Sequence, residues 1–397
     1  MLVGCGSSTA CANGCGVDPV AHCRQLVPSN GITLAMLDGA TADVATIDLD
    51  FNSTDGSITV NDTTEIRAAG TGVINGIGFA IVDGLAVWSA NSWTSGGAGT
   101  DDWKAAGVNE MALFAATTIS VVGQIDVGGQ GTAGGPGASS GNNSTAASGC
   151  RGRAGRSNAA IGPAFGEGGG GGGALNGGGD GGASNQAGPT GIGGAVCNAT
   201  PGTIPLHGGN AGGHGGQSTA NGGGGAGGGL MLVALESITI TGIVGAPGSG
   251  GVTAATGSGG GGGGGSGGAL LLEAPIVNIA GSVTANGGGG GSPAGGTDGI
   301  RGSLTATSAA AGGAFSCVAS PAATPVTRRG GAGGTGTAAP TDGATCTVDD
   351  GAVPPVIVSS QGGGGGGAAG RIVIRRLSGT TAGVTSPAAM VTTATVE

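Results

Sequence analysis

The chain has 397 residues, 101 of them glycine, with five Phe, three Trp and no Tyr. A net charge of −10 lacks the positive surface that phosphate contacts need, so nucleic acid is not an expected partner. Sixteen prolines without a Gly-X-Y period exclude collagen, and 38% hydrophobic residues gathered in blocks, against 9% charged, argue for a folded chain over a disordered one.

At the amino terminus, residues 1–27 form a cysteine-rich segment, and 28–397 read as one elongated glycine-rich domain. Leu2-Val3-Gly4-Cys5 resembles a bacterial lipobox. That resemblance implies a diacylglycerol group on Cys5, with no Asp following it. No run of about twenty apolar residues occurs, so a lipid on Cys5 is the only membrane attachment expected. The eight cysteines stand at 5, 11, 15, 23, 150, 197, 317 and 346. An even count without C-x-x-C fits disulfides in an oxidising compartment better than zinc or a redox pair. The expected bridges are Cys150–Cys197 and Cys317–Cys346, each stapling one glycine-rich insert whose closure is otherwise entropically unfavourable. A lipid on Cys5 leaves Cys11, Cys15 and Cys23 with one odd thiol.

Between 33 and 90, alternating apolar residues predict strands over Ala45–Phe51, Ser57–Val60 and Thr64–Arg67, with turns at Thr54-Asp55-Gly56 and Asn61-Asp62. Three later blocks align with one another. Ala112-Leu113-Phe114-Ala115-Ala116 leads to Ile119, Val121, Gly123, Ile125 and Val127. Leu230-Met231-Leu232-Val233-Ala234 leads to Ile238, Ile240, Gly242, Val244 and Ala246. Leu270-Leu271-Leu272-Glu273-Ala274 leads to Val277, Ile279, Gly281, Val283 and Ala285. Arg371-Ile372-Val373-Ile374-Arg375 is a worn fourth copy. Each block ends or begins in a glycine tract.

One such unit cannot bury its apolar face alone, whereas stacked units can. The expected fold is therefore mainly β: a parallel β-helix or solenoid-like stack of short strands, in which Val121, Ile125, Ile240, Val244, Ile279 and Val283 share one interior. The inserts near 130–228, 248–268 and 287–368 then leave the stack as long glycine-rich loops. Two states are open for them. The simpler is flexible loops. The other is extended three-fold polyglycine helices lying side by side, each N–H and C=O finding a neighbouring strand.

GGGGGGGSGGALLLEAPIVNIAGSVTANGGGGG at 259–291 and GGGGGGAAGRIVIRRLSG at 362–379, with ALFAATTISVVGQIDVGGQG at 112–131, resemble glycine-rich secreted proteins and lipoproteins of myxobacteria and related bacteria. The resemblance spans most of 105–397. It implies export and no particular activity, so it supplies no catalytic residues.

Candidate chemistry is sparse. His207 and His214 in LHGGNAGGHGG offer a possible metal pair, with polar loop residues the plainer reading. Asp48, Asp50, Asn52 and Asp55 in DLDFNSTDG resemble a calcium loop but lack its turn Gly and bidentate Glu, and read as the wet face of a strand. Asp180 in GGGDGG lacks the nonapeptide calcium spacing. Glu236 and Glu273 fall near equivalent places in successive repeats and are the only carboxylate pair to consider for a glycosidase. CRGRAGR at 150–156 and Arg328-Arg329 read as solvated loops, because no aromatics interleave to stack bases. No cofactor and no metal are expected. The leading reading is a non-enzymatic, exported cell-surface structural or adhesive protein, on the cell envelope or outside it, meeting polysaccharide or other surface components. The alternatives are a polysaccharide-active β-helix enzyme and an ice- or surface-binding protein; a single Thr-x-Thr, at Thr239-Ile240-Thr241, is too few for a flat array.

Overall fold

Valine, isoleucine, leucine and threonine pack well on pleated surfaces, and in the computed structural model the periodic blocks are strands. The structure describes residues 3–4, 10–11, 15–16, 22–46, 48–96, 102–141, 150–155, 165–183, 191–197, 206–216, 222–255, 259–317, 325–335, 337–349 and 357–397. The protein is mainly β, with parallel and mixed sheets; its one helix among the described residues is a four-residue 3-10 turn, Leu34–Leu37.

The main strands are β1 (Asp43–Thr46), β2 (Leu49–Asn52), β3 (Ile58–Val60), β4 (Thr64–Arg67), β5 (Gly72–Ile74), β6 (Ile77–Val82), β7 (Leu85–Ala90), β8 (Ser92–Ser95), β9 (Asp102–Ala106), β10 (Glu110–Ala115), β11 (Thr118–Val121) and β12 (Gln124–Asp126). They continue as β13 (Gly229–Ala234), β14 (Ser237–Ile240), β15 (Ile243–Gly245), β16 (Ala269–Glu273), β17 (Ile276–Ile279), β18 (Ser282–Thr284), β19 (Arg371–Arg375), β20 (Val384–Ser386) and β21 (Met390–Thr392). Three sheets collect them. The first runs β21-β19-β16-β13-β10-β7-β6-β5, the second β17-β14-β11-β8-β1, and the third β20-β18-β15-β12-β9-β2-β3-β4. Each of the three aligned blocks thus gives one strand to each sheet, and successive blocks pair in parallel.

Val121, Ile125, Ile240, Val244, Ile279 and Val283 lie together in one buried cluster, as expected. A second cluster covers the other face of the first sheet. There Leu26, Ile32, Leu206 and Ala394 pack on Val87, Phe114, Val233 and Leu271. The chain ends help to hold this cover, since Gln25 N donates to Glu397 O and Val27 N to Thr395 O.

Two details of the strand reading need correction. Ala45–Phe51 is not one strand: β1 belongs to the second sheet and β2 to the third, with a corner between them. The first block is also one residue out of step, because Ala112 pairs with Met231 and Leu230 with Met111. The cause is physical. β10 and β13 are buried on both faces, so apolar alternation does not mark which side is inside.

Aromatics are few, yet they are concentrated. Trp88, Trp93 and Trp103 are at most 1% exposed and surround Phe51, with ring centroids 5.3, 6.1 and 5.8 Å from it. Beside them Arg67, fully buried, donates to the carbonyls of Ile77, Gly56, Ala68, Gly70 and Gly72, and its guanidinium lies 5.2 Å from the Phe79 ring centroid. A guanidinium has five N–H donors, and here they meet five backbone acceptors.

The glycine tracts leave at the ends of β12, β15 and β18 and return at the starts of β13, β16 and β19. Their described residues at 222–229, 259–268, 287–292 and 362–370 are buried, unlike those of a solvated loop. Tract 259–268 gives the clearest view. Gly261, Gly264 and Gly267 donate N–H bonds to Gly362, Gly365 and Ala368. Gly260, Gly263 and Ser266 donate to Gly216, Gly213 and Asn210, and Gly262, Gly265 and Gly268 to Val252, Ser249 and Ala246. Donors therefore rotate among three neighbours in steps of three residues. Carbonyls of the same tract accept from three further segments: Gly169 and Gly172, Gly224 and Gly227, and Gly288 and Gly291. Six neighbours surround one tract, three of them parallel to it and three antiparallel. The backbone demand for buried partners is met between tracts rather than within one.

Candidate functional site

The disulfides tie this lattice at its margins. Cys150 is bonded to Cys197 and Cys317 to Cys346, each with Cα atoms 5.6 Å apart. Cys15 and Cys23, opposite one another in a short antiparallel pair, are also disulfide-bonded. Cys5 lies outside the described residues, whereas Val3 and Gly4 of the lipobox-like stretch pair antiparallel with Cys11 and Ala10. Bonded cysteines fit an oxidising, extracellular environment. No helix among the described residues is long and apolar enough to cross a membrane.

A polar recess of about 330 Å³ beside a disulfide is lined by Glu110, Ser139, Arg151, His207, Asn210 and the Cys150–Cys197 bridge. Glu110 enters it from the start of β10, and His207 Nδ1 stands 3.5 Å from its Oε1. Several of the polar atoms are already engaged. Ser139 Oγ accepts from Ala211 N, and Asn210 Nδ2 donates to Gly173 O. His214 is elsewhere, its Nδ1 3.1 Å from Gly215 O, so the two histidines do not form a pair within this recess. Among the described residues no three His, Cys, Asp or Glu side chains are grouped to hold a metal.

The glycosidase pair comes apart. Glu273 on β16 pairs in register with Val233, so Glu236 is not its equivalent, and Glu236 is exposed whereas Glu273 is fully buried. Glu273 is enclosed by Arg375 Nη1 at 2.6 Å and by Ser29, which donates both its N–H and its Oγ–H. Burial raises its pKa, against the opposing pull of Ser29 and Arg375. This carboxylate fastens the segment around Ser29 to the first sheet.

The calcium-like stretch lies on the half-buried side of β2 and in the turn after it, as the wet-face reading expects. Asn52 Oδ1 accepts from Thr54 N, and Asp55 Oδ1 from Ser57 N and Oγ, which closes a turn rather than opening a cation loop. Asp50 is different. Its pKa is pushed up to about 6, first by burial, then by a hydrogen bond with Asp62 and the charges of Asp62 and Asp48, with Lys104 opposing. Lys104 is its register partner on β9. Sequence reading grouped Asp50 with Asn52 and Asp55 and missed Asp62 and Lys104. The available signal was the Asn61-Asp62 turn at the end of β3, which runs antiparallel to β2 with Val60 opposite Leu49. Asp180 serves the lattice rim: its N–H donates to Asp342 Oδ1, and its Oδ1 accepts from Gly193 N.

A third ion pair sits where a tract leaves the sheets. Arg301 Nη2 is 2.6 Å from Asp126 Oδ1, and Arg301 Nε donates to Gly129 O. Asp126 Oδ1 also accepts from Gly128 N. Comparison with protein-family models, with curated proteins and with solved structures returns no match.

Proposed function

We propose that the protein is an exported, non-enzymatic scaffold that acts through its outer surface at or outside the cell envelope. In this reading the three sheets are the walls of a β-solenoid, and the tracts form a polyglycine II-like bundle fused to one of its corners. The observation that carries it is the six-neighbour bonding of tract 259–268. Such a bundle uses its backbone polar groups internally and contributes rigidity and area rather than a closed pocket. The bonded cysteines support export. The enclosure of Glu273 by Ser29 and Arg375 counts against the polysaccharide-cleaving alternative, which needs that carboxylate to reach a substrate. Polysaccharide and other envelope components are the partners this reading proposes, with a lipid on Cys5 as the anchor.

Fractionation of cells expressing the complete gene tests it. The expected outcome is recovery outside the cytoplasm with all eight cysteines blocked to alkylation unless reduced, save one if Cys5 is acylated. Cytosolic protein with free thiols overturns it. Turnover of neutral or acidic polysaccharides that is abolished by Glu273→Gln overturns the non-enzymatic half.

A further inference from the structure

The outward face of the second sheet is built differently from the rest of the surface. Its strands β8, β11 and β14 each alternate half-buried and buried residues, and the buried set, led by Trp93, Ile119 and Ile238, is at most 1% exposed. The other set points out. Across the strands it forms two ranks: Thr118 and Ser237, preceded on β8 by Ser92, whose Oγ donates to Asp43 Oδ1 of β1, and Thr94, Ser120 and Thr239 in register. The second rank continues through Asn278 on β17 to Thr380, which donates to the Asn278 side chain. No register shift interrupts these pairings. The array was invisible in the linear sequence because it runs across strands, where each strand supplies only two members.

We propose that this face binds ice, taking as its ligand the ordered water of the crystal surface. Four properties of the face point to that occupant. The hydroxyls repeat in two directions, about 4.8 Å between strands and about 6.7 Å along each strand, spacings close to the oxygen repeats of an ice surface. Each hydroxyl both donates and accepts, so it takes the place of a lattice water. The Thr94–Ser120–Thr239 rank and its continuation on β17 carry no charged residue, although the whole chain has a net charge of −10, and the one charge of this sheet, Asp43 on the edge strand β1, is engaged by Asn91 Nδ2 and Ser92 Oγ. The face is stiff, with β-branched threonines standing on a fully buried core, so little ordering remains to be done on contact. The face suits other occupants less well. The Trp side chains are all buried, leaving no aromatic platform for sugar rings. A protein partner would be expected to find Trp, Tyr or Arg anchors, and the strands present none outward.

This inference rests on the contact-surface reading above, but it is tested apart from export, on purified protein with its disulfides intact. Thermal hysteresis and the rate of ice recrystallisation are measured for the wild type, Ser120→Lys, Thr239→Lys and, as a control away from the face, Thr305→Lys. Unfolding midpoints are recorded for each. The wild type and Thr305→Lys should slow recrystallisation and show hysteresis, and either central lysine should remove most of both while leaving the midpoint unchanged. If a lysine variant loses its fold, Thr239→Val serves in its place, keeping shape and removing one hydroxyl, and a reduced hysteresis is expected. The proposal falls if the wild type leaves ice growth unaltered up to its solubility limit, or if the folded variants match it. It falls equally if the wild type instead sediments with crystalline cellulose or chitin and Thr239→Lys abolishes that binding without any effect on ice. Failure in these assays leaves the export experiment standing, and the reverse also holds.

Discussion

Gly264 stands at the centre of the lattice, and a Cβ built on it collides with the Gly288 carbonyl. Both atoms belong to backbones fixed by hydrogen bonds on several sides, so neither yields as a side-chain tip would. Gly264→Ala is therefore expected to destabilise the protein by about 2–3 kcal/mol. Gly177 is the control. Its nearest atom to a new Cβ is the Gly194 carbonyl at 3.4 Å, and Gly177→Ala should change stability by less than about 1 kcal/mol. Chemical denaturation of the two variants separates a packing requirement from mere glycine content. Arg67 makes the opposite kind of demand. Arg67→Met removes the guanidinium from five carbonyls, of which Gly56 O keeps Trp88 Nε1 as a donor, and should cost about 3–5 kcal/mol, seen as a lowered denaturation midpoint. Asp50 sets a pH dependence. Its folded pKa of about 6 lies above the ordinary 3.8, so the folded state holds a proton that the unfolded state has released. Stability from this group is present below 3.8 and declines as pH rises towards about 6. Asp50→Asn should flatten that decline, as measured by denaturation midpoints across the interval.

At the scale of elements, what was legible depended on how many faces a strand buries. β11, β14 and β17 each bury one face, and the alternation of Ile119-Ser120-Val121, Ile238-Thr239-Ile240 and Val277-Asn278-Ile279 gives both their existence and their register. β10 and β13 bury both, so their existence was plain while their register slipped by one residue. The corner between β1 and β2 was missed because the alternation of Ala45 to Phe51 continues through it. The matched placement of Val283 with Val244 and Ile125 carries a direct test. Val283→Asp places an unpaired carboxylate in the shared interior and should cost about 3 kcal/mol or more. The same change at Ser282, half-buried on the other side of β18, should cost far less. Equal denaturation midpoints for the two would contradict the assignment of that face.

For the whole molecule, the sequence indicated that strands and glycine tracts alternate, but not that the tracts pack on one another. A run such as 259–265 has no side chains, hence no periodicity to read; its order comes entirely from backbone groups belonging to segments up to about a hundred residues away, among them Gly169 and Gly365. The candidate site was illegible for a related reason. Glu273 meets Ser29 across 244 residues, and Asp50 meets Lys104 across a sheet, contacts that no local spacing encodes. The long reach of the tract bonds has a consequence for cooperativity. Gly268 N–H is bonded to Ala246, which directly follows β15, and Arg371 N–H at the start of β19 is bonded to Gly268, so lattice and sheets share hydrogen bonds without an intervening hinge. They should open together. Hydrogen exchange under native conditions is expected to show the amides of 260–268 protected to the same degree as those of β13 and β16, although the tract has no apolar side chains of its own. Reduction of Cys150–Cys197 and Cys317–Cys346 should lower both sets of protection factors in parallel. Rapid exchange across 260–268 with slow exchange in β13 and β16 would mean that the tracts are separate, loosely held loops, and the six-neighbour lattice would have to be abandoned.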